Sequence, residues 1–113
     1  MQVRSFEIIS ADLRQLHDYL LEVGGYQFRA GGSGFFVLVG ERFVARTTAT
    51  QAHMILAQLE ADTVSIDVVS AGGGQGFGQF DIGSELWYLK RTEDLLVGFA
   101  ERHQLDLAEI SAD

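Results

Sequence analysis

The 113 residues contain no cysteine and no proline, a single lysine, and no long apolar run. Without cysteine there is no disulfide framework, no thiolate nucleophile and no zinc site of the Cys type. The lack of thiols also suits a reducing compartment. The longest apolar stretches fall far short of the roughly 20 residues that a membrane span needs. Met1 to Ile9 alternates polar and apolar residues rather than carrying the continuous apolar core of a signal peptide. The expectation from these absences is a cytoplasmic protein. With no proline, glycine is left as the main punctuation of the chain.

Basic charge is the other scarcity. Eight Lys and Arg stand against sixteen Asp and Glu, a formal net charge of −8. The imbalance is steepest after residue 80, where eight acids face three bases. Seven of the eight bases are arginines scattered along the chain, and Lys90-Arg91 is the one adjacent pair. Such a surface repels phosphate backbones and anionic lipid, so neither a nucleic acid nor a membrane is expected as a partner. A cationic protein is the natural electrostatic match. No repeat, domain-type linker or low-complexity tract beyond the glycines appears, so residues 1–113 are read as one domain. At 47% hydrophobic with eight Phe, the chain has ample material for a core.

Periodicity predicts the elements. Residues 2–9 read as a strand with Arg4, Phe6 and Ile8 on one face. Leu13, Leu16, Leu20 and Leu21 mark a helix over about 11–23, with Ser10 placed to cap it and Gly24-Gly25 to stop it. Tyr26, Phe28 and Ala30 alternate in a second strand, Gly31 to Gly34 reads as a flexible link, and Phe35 to Val39 suits a central strand. Gly40-Glu41 has the chemistry of a two-residue hairpin, which sends Arg42 to Thr48 back antiparallel. Residues 51–60 fit a helix or a strand. The strand is favoured because Val64, Ile66 and Val68 alternate directly after the short Ala61-Asp62 connection. Gln79 to Ile82 is read as a short strand. Thr92, followed by Glu93 and Asp94, is placed as the cap of a second helix over about 92–103 with Leu95, Leu96 and Phe99 inward. Residues 84–91 either extend that helix backwards or stand apart from it, and the tail keeps Leu105, Leu107 and Ile110 for packing. The class predicted is α+β: a mainly antiparallel meander sheet with an N-terminal and a C-terminal helix packed on it.

Candidate sites are few. Gly72, Gly73, Gly74, Gln75 and Gly76, in a glycine-rich run extending to Gly78, offer backbone N–H groups that could cradle a ligand. The spacing matches neither the dinucleotide fingerprint nor the phosphate loop, so a mobile or close-packed glycine loop is the competing reading. His17 falls on the helical apolar stripe as a core-edge histidine, and His103 sits where a helix C-terminus favours an imidazolium. None of the histidines has metal-site spacing, so no metal or cofactor is expected. Asp67, Asp81 and His53 would make an acid–base site only if they met in one cleft, and strand alternation puts Asp67 on the face away from Val64, Ile66 and Val68. Trp87 and Tyr88, beside Lys90 and Arg91, are candidate interface residues, with core burial as the default role for Trp87.

Three functions follow as expectations. First comes an acidic, non-enzymatic protein-interaction domain, of inhibitor, immunity-type or chaperone-like kind, that masks a basic partner. It is expected to homodimerise if two helices leave part of the sheet bare. The alternatives are a small-molecule binding module using the glycine loop over 72–78, and a small enzyme built on Asp67, Asp81 or His53.

Overall fold

A computed structural model describes residues 2–44, 49–72 and 82–110, with side chains excepted at 42–51, 72 and 82–85. The chain runs β1 (Gln2–Ile9), α1 (Leu13–Gly24), β2 (Phe28–Gly32), β3 (Phe35–Val44), β4 (Ala49–Glu60), β5 (Thr63–Gly72), α2 (Ile82–His103) and β6 (Leu107–Ile110). The strands form one six-stranded sheet in the order β2-β3-β4-β5-β1-β6, and every pairing is antiparallel. This is the predicted α+β meander, with β1 and β6 added beyond β5.

Both helices lie on one face, and alternation decides which residues they cover. Phe6 and Ile8 of β1, Phe36 and Leu38 of β3, Ile55 and Ala57 of β4, and Val64, Ile66 and Val68 of β5 are buried there. Leu16 and Leu20 of α1 and Leu96 and Phe99 of α2 close over them to make a single core. Full burial of each large side chain stabilises the fold by about 1.5–3 kcal/mol. Arg4 pins the edge of this face. Its guanidinium grips Glu109 of β6 with two bonds, Nε to Oε2 at 2.8 Å and Nη2 to Oε1 at 2.7 Å, and donates to Glu93 of α2 at 3.0 Å.

Several local expectations are revised. Asp12, not Ser10, caps α1, its carboxylate accepting from the Gln15 N–H at 3.0 Å. Ser10 is instead in a left-handed turn at φ 63. Gly31 and Gly32 are strand residues, and only Ser33-Gly34 turns the chain, Gly34 at φ 92. Gly40-Glu41 does not turn at all: β3 runs on to Val44, with Gly40 opposite His53 and Glu41 opposite Ala52. The return strand begins at Ala49, and residues 45–48 lie outside the described ones. Glycine serves here as clearance, since a Cβ on Gly40 would collide with the His53 ring. Residues 51–60 are strand, joined to β5 through Ala61-Asp62 as read from the alternation.

The second helix is longer than its apparent cap implied. It starts at Ile82, so residues 84–91 extend it backwards and Ile82 belongs to a helix rather than a strand. Thr92 lies in its interior, wholly buried. Sequence preference for Thr at a helix start lost to packing. At the other end Gln104 adopts φ 56, with Gln104 N–H donating to the Glu101 carbonyl and Leu105 N–H to the Ala100 carbonyl. This is the Schellman arrangement, made without its usual glycine. It turns the chain so that β6 can pair with β1.

Candidate functional site

On the helix-covered face the apolar core gives way at one end to a row of small and polar residues. Gly40, His53, Ser70 and Gln2 face one another across β3, β4, β5 and β1. The His53 imidazole lies over Gly40, stacks on Tyr88 of α2 with centroids 4.4 Å apart, and meets Tyr26 edge-on at 5.7 Å. The two phenols share a hydrogen bond of 2.9 Å. Burial, above all, raises both above the ordinary phenol value, and the neighbouring Tyr88 adds to the shift at Tyr26. Both hydroxyls therefore remain protonated in the fold through neutral and mildly alkaline conditions.

Thr92, one helical turn beyond Tyr88, stands close enough to oppose that shift. Its Oγ1 nonetheless makes no hydrogen bond of proper geometry among the described residues, and Ser70 Oγ is likewise buried without one among them. The result is a cluster of hydroxyls gathered around an imidazole.

Of the three residues weighed for acid–base chemistry, the two described ones lie apart. His53 is on the covered face, whereas Asp67 points to the opposite face, where it accepts a 2.7 Å hydrogen bond from Ser5. Alternation along β4 and β5 makes this unavoidable, because Leu56 is the residue opposite Asp67. Asp81 lies outside the described residues, as do Gly73, Gly74, Gln75 and Gly76; Gly72 ends β5 opposite Gln51. Among the described residues no cluster of three or more His, Asp or Glu could hold a metal.

The two aromatic interface candidates separate, since neighbours on a helix point about 100° apart. Tyr88 is buried at 3% exposure. Trp87 is 51% exposed, so core burial is not its role, and the Arg91 guanidinium sits 5.9 Å from its ring centroid. His17 is a core-edge residue as read from the stripe, its ring edge-on to Phe36 at 5.1 Å and its Nδ1 3.0 Å from Asp18. His103 ends α2 with its ring 4.5 Å from that of Phe99.

The feature that sequence reasoning did not resolve into residues is the other face of the sheet, over which no described element lies. One row there crosses five strands entirely in apolar side chains: Phe28, Val39, Met54, Val69 and Val3. The next row adds Ala30, Val37 and Leu56 before reaching Asp67 and Ser5. Phe28 is 59% exposed and Val3 48%. The legible signal was the unbroken run Phe35 to Val39, which buries alternate residues on one face only.

Acidic side chains gather elsewhere, at the end of the sheet where β1 and β4 finish. Ser10 N–H donates to the Asp62 carbonyl and Ile9 N–H to that of Asp106. These bonds bring exposed Asp62 and Asp106 near exposed Asp12, with Glu60 beside the same turn. No helix among the described residues is long and apolar enough to cross a membrane. No protein-family model, curated protein or solved structure matches the chain, so its sites are interpreted from their own chemistry.

Proposed function

We propose that this chain is a non-enzymatic protein-interaction domain that pairs with a second copy of itself through the bare sheet face and offers its acidic end to a basic protein. The observation that carries the reading is the five-strand apolar row Phe28-Val39-Met54-Val69-Val3. A monomer seldom leaves so continuous an apolar strip in water. Strand spacing makes the first row about 24 Å across, and the two rows together about 14 Å along the strands, or about 300 Å² of apolar face. Two copies would bury about 600 Å² of it, which fits a weak, concentration-dependent pair rather than an obligate one.

Charge favours a symmetric pair centred near Val39 and Met54. Asp67 and Glu41, in the rows on either side of the apolar one, and Glu7 and Glu60, farther along the strands, are the carboxylates that alternation puts on this face, and all four lie outside the apolar row itself. Exposed Asp12, Glu60, Asp62 and Asp106 lie at the end of the sheet and remain open to a cationic surface. Of the alternative enzyme built on Asp67, Asp81 or His53, Asp67 and His53 lie on opposite faces of the sheet, and Asp81 lies outside the described residues.

Light scattering coupled to size exclusion tests the proposal. The expected mass is twice the 12.4 kDa of the chain. Met54→Lys is expected to return the protein to monomer with unchanged circular dichroism. Raised salt should strengthen self-association by screening like charge, and weaken a complex with a basic partner. A protein that stays monomeric at high concentration and raised salt would refute the pairing.

A further inference from the structure

A cleft of about 800 Å³ opens between the first turns of α1 and the helix-side face of the β2–β3 hairpin. It exists because β2 extends beyond the cover of the helices, and because the covered-face row that carries Phe36, Ala57, Ile66 and Phe6 has only Gly31 on β2. Even a methyl group at Gly31 would stand 3.0 Å from the Phe35 carbonyl oxygen and 3.4 Å from Phe36. The floor is therefore bare by construction. Leu13, Phe36 and Leu59 give the cleft its apolar surface. The volume falls within the range of small-molecule sites.

Arg14 from α1 and Arg29 from β2 border it. Both are exposed, and neither makes an ion pair or a side-chain hydrogen bond among the described residues. Arg102, at the end of α2, is likewise without such a partner among the described residues, but it does not border the cleft. Arg4 and Lys90 are held by carboxylates, and Arg91 by the Val23 carbonyl at 3.2 Å. The cleft also contains Asp12 and His17: one Asp12 carboxylate oxygen accepts from the Gln15 N–H, and His17 Nδ1 faces Asp18. Two guanidinium groups, unpaired among the described residues, thus stand against one exposed carboxylate at the cleft, beside an apolar floor.

We propose that this cleft binds an amphipathic anion, a carboxylate carried on an acyl or aromatic body. Arg14 and Arg29 take the carboxylate through charge-assisted hydrogen bonds, and Leu13, Phe36 and Leu59 receive the apolar body. The site lies on the helix-covered side, so it is independent of pairing through the opposite face.

Decanoate below its micellar concentration is a suitable probe, with decanamide as its uncharged counterpart, followed by amide NMR shifts on the full chain. The expected result is saturable decanoate binding with shifts centred on Ala11 to His17, Gly31 to Phe36 and Leu59. Arg14→Gln with Arg29→Gln should weaken decanoate about tenfold or more and leave decanamide unchanged. Arg102→Gln, a surface control, should bind as the parent does, and Met54→Lys should bind as well. The proposal is overturned by an absence of saturable binding, by shifts centred on Val39 and Met54, or by an equal loss for decanoate and decanamide in the double variant.

Discussion

Replacing Gly40 by alanine puts a methyl group where the His53 imidazole already stands. The added Cβ would lie 2.9 Å from Cδ2 and closer still to Nε2. A lone histidine could swing aside, but this ring is stacked on Tyr88 and edge-on to Tyr26. Overpacking of that kind costs about 1–3 kcal/mol. Alanine returns about 0.5–1 kcal/mol through its lower backbone entropy in a strand. The net expected loss is about 1–2 kcal/mol, or roughly 4–8 °C in Tm for a domain of this size.

The same substitution made on His53→Ala should change sign. The obstacle is then gone and the entropic gain of about 0.5–1 kcal/mol remains. Urea unfolding of the parent, both single variants and the double variant closes a cycle whose coupling should be about 2 kcal/mol. Equal effects of Gly40→Ala in the two backgrounds would refute the account of Gly40 as clearance for His53.

Other outcomes follow from the same geometry. Tyr26 and Tyr88 hold their protons in the fold above the 10.0 at which a free phenol titrates. The unfolded chain therefore loses protons first, and stability is complete below pH 10 and declines above it, by up to about 1.4 kcal/mol per pH unit for each phenol. Urea unfolding across the alkaline range measures the slope. Tyr26→Phe should reduce it, and an unchanged slope would disprove the assignment. Gln104, held at φ 56 in the turn after α2, strains a side chain where glycine is at ease. Gln104→Gly is expected to stabilise the protein by about 1 kcal/mol in thermal unfolding, and destabilisation would argue against the left-handed cap.

Much of the fold was legible because the signals were periodic and local. The α1 stripe, the alternation in β1 and β5, and the Ala61-Asp62 turn each depend on a few adjacent residues, and each stands where it was read. The failures share a cause. Gly40 and Thr92 carry strong local preferences, for a turn and for a helix cap, and both were overruled by neighbours distant in sequence. His53 comes from β4 and Tyr88 from α2, yet together with Tyr26 they surround the Gly40 and Thr92 positions. Trp87 and Tyr88 look alike in sequence, and the orientation of α2 sends one to solvent and the other inward.

Composition and periodicity by themselves determined the class of fold, the acidic surface, the identity of the core strands and the face on which Asp67 lies, because each of these is a property of residues within a turn or a strand of one another. The order of the strands, the gathering of His53, Tyr26 and Tyr88, the cleft between α1 and the hairpin, and the bare apolar row were decided only by tertiary structure. Each of those depends on which strands become neighbours and on both helices packing against the same face, and that choice minimises exposed surface over the whole chain at once.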